Sequence, residues 1–189
     1  CKVSLWMEAM LPGKPLGFLD HRVIRGNALI GVTPALLDAG VPDDAFKPLT
    51  GDDKTHVASQ KKRNKAARSG QSSLFGGDAG VVVSALAVKA GEVDALDDDS
   101  VPSVQAKAKR WSELVTSPEY QAAVHAADTW CAAFVAPKRA GAPAVTHAEY
   151  HQALSKGDRV DPNVRAAVAE MTGQYGFLHW HLAFLDVYG

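Results

Sequence analysis

Cysteine is scarce in this sequence, and neither sign of charge prevails. Its two cysteines, Cys1 and Cys131, lie far apart, and no paired Cys/His spacing accompanies them. This pattern argues against both a disulfide framework and a structural zinc site. The 20 Lys and Arg residues nearly balance the 21 Asp and Glu residues. A nucleic-acid partner would therefore have to contact a local basic patch, because the total charge attracts none.

The sequence also lacks the features of a signal peptide and of a membrane span. Its opening CKVSLWMEAM has no basic segment and no small-residue cleavage site, and a glutamate interrupts the apolar residues. No apolar run approaches the roughly 20 residues that cross a bilayer. The hydrophobic content of 47% is enough to bury a core. We therefore expect a soluble, cytoplasmic protein without a membrane partner.

Apolar residues at three- and four-residue steps predict a mainly helical chain. Thr33, Ser117 and Asp161 each precede a proline and mark helix starts, whereas Thr146 and Glu149 have the spacing of a capping box. The predicted helices cover residues 3–10, 33–40, 52–70, 81–96, 104–115, 117–134, 146–157 and 161–175, with a flexible link over 70–80. We expect the helices at 104–115 and 117–134 to form a hairpin.

Two segments near the ends of the sequence are predicted to be extended. Residues 23–25 favour a short strand, followed by a loop that starts at Gly26. Leu178, Trp180, Leu182 and Phe184 alternate as an extended segment would over residues 175–189. The predicted fold class is therefore mainly α with a few short strands.

Gly26 and Asn27 follow the predicted strand and are compatible with two interpretations. Glycine allows a base or a ribose to approach the backbone, and an asparagine amide both donates and accepts hydrogen bonds. Nucleotide-like ligands bind at the carboxyl ends of strands in α/β sheets. The alternative is an ordinary asparagine-containing turn.

Three segments resemble one enzyme family in the same order along the chain. They are CKVSLWMEA (residues 1–9), GFLDHRVIRGNALIG (17–31) and FLHWHLAFLDVYG (177–189). Together they are similar to the large adenine-specific DNA methyltransferases of the type IIG restriction-modification group, in particular to methylases of the BREX and DISARM phage-defence systems. The chain departs from that family at Ala28, where serine is usual, and at Ala183 and Leu185, where glutamate and proline are usual.

The resemblance implies a fold, an activity and a cofactor. Residues 1–32 would be a slice of a Rossmann-like α/β methyltransferase core that binds S-adenosylmethionine, 33–174 a helical insertion, and 175–189 an extended segment leading to the catalytic Asn-Pro-Pro-aromatic motif. That motif and the glycine-rich cofactor loop do not occur in these residues. The chain would thus be an internal fragment, inactive by itself, of an enzyme that methylates adenine N6. Its partners would be double-stranded DNA and the remainder of the methyltransferase chain.

The resemblance also implies cofactor-binding residues. Asn27 matches the family position near the adenine of the cofactor, with Gly26 beside it and Asp20 near the pocket. No catalytic residue and no metal ligand is expected in this stretch. The alternative is a helical DNA-binding or protein-interaction module without enzymatic activity.

A basic cluster in the predicted helix at 52–70 has two interpretations. Its members could contact DNA phosphates, each adding to a salt-dependent affinity, or they could form an ordinary solvated helix face. The cluster comprises Lys61, Lys62, Arg63, Lys65 and Arg68.

Histidines and aromatic residues supply the other candidate sites. His179 and His181 have the spacing of two metal ligands on a strand. No third ligand accompanies them, so we expect a structural pair with Trp180 and Leu182 buried. Helical spacing predicts a core position for another group rather than stacking on bases. That group comprises Trp111, Tyr120, Trp130, Cys131 and Phe134.

Overall fold

The computed structural model describes residues 2–8, 10, 12, 14–71, 78–156 and 160–188. Helices dominate this part of the chain, which confirms the predicted mainly α class. The helices are α1 (Lys2–Glu8), α2 (Pro34–Ala39), α3 (Lys54–Gln71), α4 (Asp78–Asp94), α5 (Val101–Val115), α6 (Pro118–Val135), α7 (His147–Lys156), α8 (Pro162–Tyr175), α9 (Trp180–Ala183) and α10 (Leu185–Tyr188), with a 3₁₀ turn at Asp43–Phe46. Among the described residues, no helix is long and apolar enough to cross a membrane.

Side-chain caps begin the helices where the sequence predicts them. The Thr33, Ser117 and Asp161 side chains accept hydrogen bonds from backbone N–H groups in the first turns of α2, α6 and α8. These bonds satisfy donors that have no partner inside the helix. Glu149 accepts a bond from the Thr146 N–H, 2.9 Å away, at the start of α7. The predicted end of this helix at residue 157 and most of the predicted link at 70–80 lie outside the described residues.

α6 runs through the centre of the molecule. It packs mainly against α7, α8 and the 3₁₀ turn, and the Trp130 indole N–H donates to the Gly40 carbonyl at 3.0 Å. α5 contacts α4 more extensively than α6, so the predicted hairpin is only one part of a larger bundle. Trp130 and Cys131 are buried as predicted, and burial raises the pKa of the Cys131 thiol to about 12.

α3 is anchored to the bundle by a buried asparagine in its basic run. The Asn64 side chain donates to the Val41 carbonyl and to Asp43, and accepts from the His147 N–H at 2.8 Å. The fully buried amide therefore has its hydrogen-bonding groups satisfied. This anchor fixes which side of α3 faces solvent.

The predicted strand over residues 23–25 is wrong, because the N–H groups of Arg22 and Val23 bond to the Leu19 carbonyl in a turn. The predicted extended segment over 175–189 is wrong only in its second part, since Phe177 forms a parallel β-bridge with Asn27 and residues 176–179 are not helical. Residues 180–188 form α9 and α10 instead of an extended segment.

The physical reason for the second error is a pattern that fits two periods. His181, Leu182 and Leu185 are buried together on helical spacing, while Trp180 stays 42% exposed. A short run of alternating apolar residues is compatible with both a strand and a single helical turn, so this pattern alone does not distinguish them. The expected burial of Trp180 is therefore wrong, whereas that of Leu182 is confirmed.

Candidate functional site

Two segments far apart in sequence are joined by hydrogen bonds. We call them the clasp, defined as residues 26–32 together with residues 176–181. Its four bonds run from Asn27 N to Gly176 O (2.6 Å), Leu178 N to Ile30 O (2.9 Å), Val32 N to His179 Nδ1 (3.3 Å) and Trp180 Nε1 to Ala28 O (3.2 Å). The last pair is separated by 152 positions. The clasp thus brings together the second and third segments that resemble the methyltransferases.

α1, the first of the three segments, is attached to the second. The Trp6 indole N–H donates to the Gly17 carbonyl at 2.9 Å, and Lys2 forms an ion pair with Asp20. All three segments that carry the resemblance are therefore neighbours in the structure.

Two glycines of the clasp are needed for the approach of Leu178. A Cβ atom added at Gly31 would lie 2.1 Å from the Leu178 carbonyl oxygen, and one added at Gly26 would lie 2.9 Å from the Leu178 Cβ. Both are closer than real Cβ contacts. The space beside Gly26 that the sequence suggests for a ligand is therefore filled by Leu178.

The side-chain oxygen of Asn27 forms a hydrogen bond inside the clasp. Its Oδ1 accepts from the Leu29 N–H at 3.1 Å, as in an Asx turn. Its Nδ2 forms no hydrogen bond within the described ranges and remains a donor for an external acceptor. Asp20 is turned toward α1 by its ion pair with Lys2, so the structure does not join it directly to Asn27.

A pocket of about 420 Å³ lies beside the clasp, between the 28–34 loop and the last two helices. No charged side chain of the described residues lines it. The lining comprises Ala28, Leu29, Gly31, Val32, Thr33, Pro34, Trp180, His181 and Tyr188.

His179 has its hydrogen-bonding groups satisfied. Its Nε2 lies 2.8 Å from the Asp128 carboxylate, and its Nδ1 lies 3.3 Å from the Val32 N–H. Since Nδ1 accepts from a backbone donor, the ring proton belongs on Nε2. The structural interpretation fits His179, and no group of three or more potential metal ligands occurs in the part of the chain that the structure describes.

His181 is only 4% exposed, yet neither of its ring nitrogens has a hydrogen-bond partner among the described residues. Burial, with a smaller effect from the nearby His179, lowers the pKa of His181 to about 4. The Val32 backbone raises the pKa of His181, but by less than burial lowers it. Neither ring nitrogen of His181 is in hydrogen-bond geometry with Val32. A neutral, unsatisfied imidazole is therefore buried in the wall of the 420 Å³ pocket.

The basic cluster of α3 is divided between two sides of the helix. Arg63 forms an ion pair with the buried Glu149 and thus helps to hold α3 against α7. Lys61, Lys65 and Arg68 are four and three residues apart and so share another side. Lys61, Lys62 and Lys65 are exposed. We call the side of Lys61 the α3 basic stripe, consisting of Lys54, Lys61, Lys65 and Arg68; Lys62 lies about 100° around the helix from Lys61.

Sequence analysis missed the polar groups between α6 and α8. Asp128 is buried and lines a cavity of about 300 Å³ together with His125, Gln121 and Arg165. Burial, and less strongly Arg165, lowers the pKa of His125. The sequence did contain a signal for this site. Asp128 lies between Ala127 and Cys131, on the side of α6 that the apolar spacing assigns to the core, where a charged residue is unusual.

No protein-family model, curated protein or solved structure matches the chain.

Proposed function

We propose that this chain is part of an S-adenosylmethionine-dependent DNA methyltransferase that modifies adenine N6 in a restriction-modification or phage-defence system. The observation that supports it best is the meeting of the three methyltransferase-like segments. α1 contacts residues 17–20, and residues 26–32 are joined to 176–181. Segments that lie at opposite ends of the sequence but serve one cofactor pocket would have to meet in this way.

Within this proposal, Asn27 is the residue that fits the cofactor. Its Nδ2 is available to donate to an acceptor such as a ring nitrogen of adenine. Gly26 contributes indirectly, because its missing side chain admits Leu178. S-adenosylmethionine would supply the methyl group, and the rest of the enzyme would supply the Rossmann-like sheet, the glycine-rich loop and the Asn-Pro-Pro-aromatic motif.

The proposal predicts the coding sequence around this segment and the effect of changing Asn27. An Asn-Pro-Pro-aromatic motif should follow residue 189 and a glycine-rich loop should precede residue 1. In the protein encoded by the complete reading frame, Asn27→Ala should weaken binding of labelled S-adenosylmethionine by up to about tenfold, the effect of losing roughly one hydrogen bond.

The matched control for that experiment is Asn163→Ala, because Asn163 is an exposed asparagine at the start of α8. It should leave cofactor binding unchanged. A reading frame without both motifs, or equal binding by the Asn27→Ala protein and the unsubstituted one, would reject the proposal.

A second candidate function is a helical DNA-binding module without enzymatic activity. The α3 basic stripe favours it, since its four members lie on one side over about 20 Å at 1.5 Å per residue. A regular row of cations of this length suits a phosphate backbone. This candidate requires neither S-adenosylmethionine nor Asn27, and the salt dependence of DNA affinity tests it.

A further inference from the structure

We infer that the cavity of about 300 Å³ between α6 and α8 binds a small zwitterion with an apolar side chain, an α-amino acid, through Asp128 and Arg165. Every residue that lines this cavity lies within 33–174, and none of them is a cofactor-binding residue implied by the resemblance. The inference therefore goes beyond the proposed function and holds or fails independently of it. It depends on three observations: a buried carboxylate, a guanidinium on the facing helix, and an otherwise mainly apolar lining.

The Asp128 carboxylate is held in a fixed orientation at the wall of this cavity. The residue is 8% exposed, and its Oδ1 accepts from His179 Nε2 at 2.8 Å. The other ring nitrogen of His179 accepts from the Val32 N–H, so the partner of the carboxylate is itself held in place. The Asp128 side chain keeps 12% of its surface exposed, and Oδ2 is the oxygen that does not bond His179. A carboxylate oxygen that reaches a cavity accepts most strongly from a cation such as an ammonium group.

Arg165 supplies the opposite charge from α8. It lines the same cavity. Burial, and less strongly the charge of Arg165, lowers the pKa of His125 on the facing helix, so the guanidinium lies close to α6. A guanidinium carries five N–H donors and can hold a carboxylate while it keeps a contact inside the protein. His125 Nε2 is buried, and the inference requires no contact between this atom and the ligand.

The two charges together determine the class of ligand. An anion would bond Arg165 but would lose its hydration near the carboxylate of Asp128, and a simple cation would meet the reverse difficulty. A zwitterion presents to each residue the charge that it attracts. The Thr172 hydroxyl donates to the Val168 carbonyl at 3.0 Å, so it presents only acceptor lone pairs to a ligand. This arrangement also suits an ammonium group.

The rest of the lining is mainly apolar. It includes Val124, Val168 and Ala169, and Val168 is 1% exposed. Apolar walls favour the burial of an aliphatic side chain. The volume is at the lower end of the roughly 300–1,000 Å³ typical of small-molecule sites. A short branched amino acid such as L-valine combines this size with both charges and an aliphatic side chain.

The first experiment is a titration of the full chain with L-valine, observed by NMR of the methyl groups of Val124, Val168 and Ala169. We expect saturable shifts at these positions and none at Val57, which lies in the core on α3. Shifts spread over the whole molecule, or no saturation by about 10 mM L-valine, would overturn the inference.

Two analogues test the two charges on the unsubstituted protein. Valinamide lacks the carboxylate, and N-acetylvaline lacks the ammonium group. Each should bind about tenfold more weakly than L-valine, the effect of losing one charge-assisted hydrogen bond. An analogue that binds as tightly as L-valine would overturn the inference, and this result requires no variant to fold.

Two variants assign each charge to its residue. Asp128→Asn keeps an oxygen that accepts from His179; it should weaken L-valine binding about tenfold without weakening the binding of N-acetylvaline, which has no ammonium group. Arg165→Gln should weaken L-valine binding similarly without weakening the binding of valinamide. Arg110→Gln, which changes an exposed arginine on α5, is the matched control and should bind L-valine as the unsubstituted protein does.

A purely structural role of Asp128 or Arg165 predicts a different result, because loss of the cavity would weaken binding of all three ligands together. That outcome in both variants would overturn the inference. The proposed function is tested separately by S-adenosylmethionine. If S-adenosylmethionine binds in an Asn27-dependent manner while L-valine fails to bind, the proposed function survives and this inference does not.

Discussion

At the scale of single residues, the His179 imidazole is held between a carboxylate and a backbone N–H. It donates to Asp128 and accepts from Val32, and both side chains of the His179–Asp128 pair are buried. Replacing His179 with leucine would leave a buried carboxylate without its donor. We predict that His179→Leu lowers the free energy of unfolding by about 3 kcal/mol, measured by urea denaturation at pH 7.

The matched control is Asp128→Asn, which keeps an oxygen that accepts from His179 Nε2. It should cost less, about 1 kcal/mol, because a neutral hydrogen bond replaces a charge-assisted one. Equal losses in the two variants would contradict the assigned direction of the bond.

At the scale of elements, α3 presents cations with two different roles. Lys61 and Lys65 are exposed on the α3 basic stripe, whereas Arg63 is paired with Glu149 at the contact with α7. If the stripe binds DNA, Lys61→Ala with Lys65→Ala should reduce the slope of log affinity against log salt by about 2, because each phosphate contact contributes roughly 0.9. The measurement is fluorescence anisotropy of labelled duplex DNA over a salt series.

Arg63→Ala supplies the control, since it removes the same charge from the same helix. It should leave the salt slope unchanged and lower the midpoint of thermal unfolding, because Glu149 loses a partner. A slope that falls equally in the Arg63→Ala protein would show that DNA attraction is a matter of net charge alone.

At the scale of the whole molecule, buried histidines make stability depend on pH. Burial is the largest cause of the lowered pKa at each of His21, His125, His147 and His181. Between pH 6.5, the ordinary value, and about 4, the folded value for His181, the unfolded chain binds more protons at these residues. The contribution is therefore present in full above pH 6.5 and is lost as the pH falls toward 4.

We predict that the unfolding midpoint falls steadily as the pH is lowered through this window, as measured by circular dichroism. His181→Phe should make the fall shallower, because one of the titrating groups is removed. A midpoint that is constant from pH 7 to 4 would contradict the prediction.

Sequence reasoning succeeded where a local signal determines the structure. The caps at Thr33, Ser117 and Asp161 depend on residues within a few positions of each other, and the structure confirms them.

It failed where long-range contacts decide the structure. The Val23 N–H bonds to the Leu19 carbonyl instead of entering a sheet. The helices over residues 180–188 pack against α4 and α6. Asp128 was missed for the same reason, since its partner His179 is 51 positions away.

The clasp also bears on the order of events in folding. Joining Ala28 to Trp180 closes a loop across 152 positions, and such closure costs chain entropy before any contact compensates for it. The helix caps between them are formed by residues a few positions apart and do not bear this cost. We therefore expect the clasp to form late in folding, and contacts that form after the transition state slow unfolding rather than speed folding.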